Sequence, residues 1–203
     1  MSGHSHAKTI KRVKEASDKK RGQIFSKMAR LISVAVKESG SNPGTNPKLR
    51  IAIETARSVN MPKDNIDRAI KRGAGEDVSA ENLEEVTFEA YGPGGVAIIV
   101  EGITDNKNRT LGEIKQVLSQ HGAKMIGEGG LRWMFERKLK EPGALEWEPK
   151  QEIELSTKDR EACERLFEAL DGNEAVQEIY SNLVAEASPH LPPHPASQGS
   201  AKG

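Results

Sequence analysis

The pattern of the chain changes once, at Gly73-Ala74-Gly75, and that change constrains the fold more than any single motif. Before it, apolar residues recur at the three- and four-residue spacing of amphipathic helices; after it, they fall in short alternating runs, as in strands. Charge divides at the same place. Residues 1–75 carry 17 Lys and Arg against 6 Asp and Glu, a net of +11, whereas residues 76–203 carry 13 against 24, a net of −11. The neutral total of 30 bases and 30 acids therefore joins two strongly charged halves. The sequence predicts an α+β protein, with a basic three-helix domain at 1–75, a ferredoxin-like α/β sandwich domain at 76–182 and a disordered Pro-, Ser-, Gly- and His-rich tail at 183–203.

In the basic half, Met1 to Arg12 lacks apolar periodicity and reads as a flexible arm. A helix is predicted from about 18 to 38, where Ile24, Met28, Leu31 and Ala35 form a stripe widened by Phe25, Ile32 and Val36. Gly40, Pro43 and Gly44 end it. Asn46 and Pro47 read as N-cap and first residue of a second helix, with Leu49, Ala52, Ile53, Ala56 and Val59 inward. Asn60-Met61-Pro62 breaks that helix. A third, about 63 to 72, turns Ile66, Ala69 and Ile70 inward, with Gly73 expected as its stop.

The bases lie off these stripes. Lys8, Lys11, Arg12, Lys14, Lys19, Lys20 and Arg21 crowd the arm and the first helical turns; Lys27, Arg30, Lys63, Arg68, Lys71 and Arg72 punctuate the helices. A lysine-rich solvated surface is the plain explanation, but acids are scarce here, and that bias favours phosphate contact. These 13 residues are the expected nucleic-acid-binding set. Such contacts give affinity without sequence information. Few aromatics interleave with the bases, which argues against a single-strand stacking surface in this half.

In the acidic half, strands are predicted at 86–90 and 95–101, joined by a turn at Tyr91-Gly92-Pro93-Gly94-Gly95. A helix follows from about 110 to 121, then a strand at 131–138 containing Trp133 and Phe135, and a further strand at 153–155. A helix at about 157–170 places Cys163, Leu166, Phe167 and Leu170 on one face, and a last strand spans 175–180. Residues 139–152 read as a linker.

Chemistry is hard to find. The lone Cys163 sits at a core position and excludes a disulfide framework. His4 and His6 have no third metal ligand near in sequence, and Asp105 has no partner carboxylate at motif-like spacing. Neither a Walker loop nor a dinucleotide fingerprint is present. The chain is read as no enzyme, with no catalytic residue, metal or cofactor. No apolar stretch approaches a membrane span and no signal-peptide core follows Met1, so a cytoplasmic protein without membrane partners is expected.

Several segments together resemble one family. They are Gly3-His4-Ser5, Lys20-Arg21-Gly22-Gln23-Ile24-Phe25-Ser26-Lys27, Asn46-Pro47-Lys48-Leu49-Arg50 and Asn60-Met61-Pro62-Lys63-Asp64. Further on are Ile66-Asp67-Arg68-Ala69-Ile70-Lys71-Arg72-Gly73, Tyr91-Gly92-Pro93-Gly94-Gly95-Val96-Ala97, Thr104-Asp105-Asn106-Lys107-Asn108-Arg109-Thr110 and Val176-Gln177-Glu178-Ile179-Tyr180. The chain is similar to the YebC/PmpR family, which includes the mitochondrial translational activator of cytochrome oxidase. The resemblance implies a helical domain and two α/β domains, the third inserted within the second. Only about 14 residues, 139–152, stand where that insertion would lie, so the chain looks like a short form. His6-Ala7 also departs from the usual Lys-Trp of the arm.

Members of that family are described as DNA-binding transcriptional regulators or as ribosome-associated factors that ease synthesis through stretches such as proline runs. No helix in the sequence carries a convincing base-reading set, and shape-led contact with folded RNA needs none. The expectation is a ribosome- and RNA-associated translational activator that binds rRNA through its basic half, with a DNA-binding transcriptional regulatory protein as the alternative. An interaction scaffold whose surface is incidentally basic is a third reading. The sequence leaves the oligomeric state open.

Overall fold

A computed structural model of the chain describes residues 18–76, 82–140 and 144–184. The arm, with Lys8, Lys11, Arg12 and Lys14, lies outside the described residues, as does everything after Val184.

Three helices open the described chain: α1 (Asp18–Ser39), α2 (Pro47–Ser58) and α3 (Lys63–Gly73). They pack as their apolar stripes direct. Met28, Ile32, Ala35 and Val36 of α1 meet Leu49, Ala52, Ile53 and Ala56 of α2 and Ile66 and Ala69 of α3. Each fully buried Leu or Ile contributes about 1.5–3 kcal/mol, enough in sum to hold a small bundle. Asn46 ties two helix ends together. Its Oδ1 accepts from the Leu49 amide at 3.0 Å, and its Nδ2 donates to the carbonyls of Ala35 and Gly40 at 2.7 and 2.8 Å.

The α2–α3 corner follows from Asn60, whose φ of 59° turns the chain in the left-handed region that Asn tolerates. The Met61 amide donates back to Ala56 O at 2.9 Å, and the Met61 side chain is buried among the helices. At the end of α3 the structure corrects the expected stop. Gly73 lies inside the helix, and the left-handed residue is Gly75, with φ 75°. Gly73 is needed for close approach: a Cβ there would stand 2.5 Å from Ser33 O.

The second half contains β1 (Glu84–Tyr91), β2 (Ala97–Thr104), α4 (Lys107–Gln120), β3 (Lys124–Ile126), β4 (Phe135–Lys140), β5 (Ala144–Pro149), α5 (Thr157–Asp171) and β6 (Val176–Ser181). The main sheet runs β3-β1-β2-β6 with every neighbouring pair antiparallel. The expected turn at 91–95 is a tight hairpin connection in which Gly94 and Gly95 take φ values of 66° and 80°. Val86, Phe88, Ala90, Ile98 and Val100 point to one face and pack under Ile114 and Leu118 of α4 and Cys163, Leu166 and Leu170 of α5. Two helices on one face of a four-stranded antiparallel sheet form an α+β sandwich.

The opposite face is covered as well. Ala97, Ile99 and Tyr180 pack against Leu131 and Phe135, with Met134 and Trp147 alongside. The cover is the β4–β5 hairpin, a separate two-stranded sheet. Several expectations change here. The strand read at 131–138 begins with a 3-10 turn, Arg132–Met134, and pairs with β5 rather than with the main sheet. Residues 139–152, read as a linker, contain β5, whose alternation is too short and too charged to stand out. The strand read at 153–155 is a single bridge from Ile153 to Leu183. Leu183 is buried and the Val184 amide bonds to Ile153 O, so the first two residues assigned to the tail belong to the fold.

Candidate nucleic-acid interface

The inward positions of α3 are Ile66 and Ala69, which leaves Lys63, Arg68 and Lys71 exposed on its outer side. None of the three enters an ion pair among the described residues. Lys20 and Arg21 are exposed at the start of α1, and Arg50 and Arg57 on α2. Arg72 is half-buried, and its Nε has no hydrogen-bond partner among the described residues. Lys19 lies in α1, but its side chain is outside the description. The outer side of α3 is not purely basic: Asp64 and Asp67 are exposed there too.

Lys27 and Arg30 are placed differently from the rest of the expected set. Both cross to the α/β half and meet the end of α5. Lys27 Nζ donates to Asp171 O at 2.8 Å and to its Oδ1 at 3.0 Å. Arg30 donates to Glu174 O and, at 3.2 Å, to Glu174 Oε2. Cations at the carbonyl end of a helix complement its dipole. Lys48 bridges Glu38 at 2.8 Å and Glu85 at 2.7 Å. Its partial burial would lower the ammonium pKa, but the hydrogen bonds it donates to the two carboxylates outweigh that and hold it above the ordinary lysine value. Val34 with Leu83 and Ile103 forms the apolar part of the same junction. The bases that face the acidic half are thus paired with it, whereas those of α3 enter no ion pair among the described residues.

Outside that set the remaining candidates resolve simply. Cys163 is buried against Pro93, its thiol pushed up to about 11 chiefly by burial, so it is no nucleophile at neutral pH. His121 Nδ1 bonds to Val117 O at 2.9 Å at the end of α4. Asp105 pairs with Arg109 and also flanks the Asn106 cap of α4. Among the described residues no cluster of three or more His, Cys, Asp or Glu could hold a metal.

Two features were missed by sequence reasoning. Glu89 is buried at 1 % exposure and accepts amide hydrogen bonds from Gly129 at 2.7 Å and Leu131 at 2.6 Å. Its position opposite Phe88 and Ala90 in the alternation suggests solvent, because nothing in sequence announces that a hairpin covers that face. Trp133, read as part of a strand at 131–138, is 68 % exposed in the 3-10 turn that opens that segment. The adjacent Gly127-Glu128-Gly129-Gly130 run was the available signal for an irregular loop.

The comparisons with known proteins divide the chain where its charge does. The description "TACO1/YebC protein N-terminal domain" matches residues 5–76, and "TACO1/YebC second and third domain" matches residues 83–141. A "probable transcriptional regulatory protein" of Syntrophus aciditrophicus (strain SB) is 54% identical over 138 residues, 68% of this chain and 55% of that protein. Another so described, from Chlorobium phaeovibrioides (strain DSM 265 / 1930), is 35% identical over 239 residues, 90% of this chain and 95% of the relative. The crystal structure of a conserved hypothetical protein, Aq1575 from Aquifex aeolicus, superposes with a TM-score of 0.75 at 30% identity, covering 82% of this chain and 91% of that one. The chain matches about half the length, 55%, of relatives such as the Syntrophus protein.

Proposed function

Because the chain belongs to the TACO1/YebC family, we propose that it is a nucleic-acid-binding regulatory protein whose helical half contacts phosphates. One observation carries this reading: the exposed bases of α3, Lys63, Arg68 and Lys71, enter no ion pair among the described residues, while those facing the acidic half are neutralised. Duplex DNA is the favoured partner, since relatives at 35% and 54% identity are named as probable transcriptional regulatory proteins. The helical half also holds two helices joined by a short fixed corner, α2 and α3, an arrangement that can set the second helix against a groove.

A second reading, shape-led binding to ribosomal RNA in support of translation, draws on the outer side of α3. Asp64 and Asp67 stand among its bases, and Asn65 is half-buried, which is a poor set for reading base edges. The two readings separate in one experiment. The full chain is offered a pool of random duplexes and, in parallel, purified ribosomes at physiological salt. Selection of a duplex that outcompetes random DNA by several kcal/mol supports the transcriptional reading. Co-sedimentation with ribosomes, together with indifference to duplex sequence, overturns it in favour of the second.

A further inference from the structure

The segment that carries Trp133 is pinned on every side. Leu131 and Phe135 flank it, at 0% and 2% exposure. Glu89 holds the amides of Gly129 and Leu131, and Gly130 lies so close to Ile126 that a Cβ would meet its Cδ1 at 2.8 Å. From the other side Lys150 Nζ donates to Trp133 O at 2.9 Å, and the Lys150 amide donates to Met134 O at 3.0 Å. Trp133 is therefore exposed on a fixed backbone.

The polar edge of the indole is already used, because Nε1–H donates to Gly130 O at 2.9 Å. What remains on offer is the flat π surface. A polyproline peptide is recognised best where a ring also donates a hydrogen bond, and this ring has none left. A planar group that needs only stacking suits it. Lys150, exposed and in no ion pair among the described residues, adds a cation at the Trp133 carbonyl that a phosphate could meet; the neighbouring Arg132 is occupied by Glu89 and Glu128.

We propose that Trp133 is a stacking platform for an unpaired nucleobase, with Lys150 meeting the attached phosphate, as a second contact on the α/β half. The proposal rests on the nucleic-acid reading above and extends it to a site outside the basic helices. Stacking on a free ring is sequence-tolerant and needs an unpaired base, so it discriminates single strands from duplexes.

The test follows tryptophan emission and binding of the full chain with oligothymidylate and with a duplex of the same length. The result expected is quenching by the single strand that is absent in Trp133→Phe, which leaves Trp147 as the emitter. Trp133→Ala should weaken single-strand binding about tenfold and leave duplex binding within about twofold, whereas Trp133→Phe keeps most of the single-strand affinity. Equal single-strand affinity in wild type and Trp133→Ala overturns the proposal, as does quenching by a polyproline peptide with none by the single strand. Loss of duplex binding by the wild type, with the Trp133 signal intact, would strike the α3 reading and leave this one standing.

Discussion

Replacing Glu89 by Ala would strand the buried Leu131 amide, whereas the exposed Gly129 amide can turn to solvent. A buried group left unpaired costs about 1–3 kcal/mol, so Glu89→Ala should lower the unfolding free energy by about 1–3 kcal/mol in urea. Glu89→Gln keeps one acceptor oxygen and should lose less. Cys163 offers a second check at this scale. With its thiol pushed up to about 11, it should resist alkylation at pH 8 in the folded chain and react readily in denaturant. Its core position was legible in the sequence because Leu166, Phe167 and Leu170 share its helical face. Glu89 was not legible. A lone carboxylate in a strand reads as solvent-facing unless the cover is known, and the cover comes from residues more than 40 positions later.

Among elements, α1 and α3 touch at Gly73. A methyl there would lie 2.5 Å from Ser33 O and 2.8 Å from the Val36 Cβ, so the helices would have to part. Gly73→Ala should cost about 1–3 kcal/mol despite the higher helix propensity of Ala, read as a fall in melting temperature. The helices were the most legible elements. Asn46 accepts from the Leu49 amide as its position before Pro47 implied, and the breaks at Gly40 and Asn60 come from chain chemistry alone. The β4–β5 hairpin was the least legible, since Lys138 and Lys140 alternate with apolar Leu139 and the pairing partner lies across residues 141–143. Strand partnership is a non-local property that alternation cannot supply.

At the scale of the molecule, the two halves meet through ion pairs, whereas the charge arithmetic had directed the bases of the helical half to nucleic acid. Lys27 and Arg30 were expected on phosphate and are placed on Asp171 and Glu174, because helix periodicity cannot say which side of α1 another module covers. Close to this junction Glu178 has its carboxyl pushed up to about 8, first by burial and then by Glu146 of β5, only partly offset by Lys27 of α1, with Glu101 of β2 and Asp171 of α5 adding to the rise. An acid whose folded pKa is raised binds its proton more tightly in the native state. Stability therefore falls as pH rises from the unfolded carboxylate range, about 4.5, through about 8, and then levels. Glu178→Gln should melt several degrees above the wild type at pH 8.5 and close to it at pH 4, as calorimetry can test.

The central claim is that the exposed bases of α3 meet phosphate. It is tested most directly by the salt dependence of nucleic-acid binding for the wild type and for Lys63→Ala, Arg68→Ala and Lys71→Ala combined. These side chains are exposed, so the melting temperature should hold. On a DNA duplex, the slope of log affinity against log salt should flatten by about 0.9 for each lost phosphate contact, with weaker binding at low salt. Unchanged affinity and an unchanged slope in the triple variant would contradict the account and place the partner elsewhere.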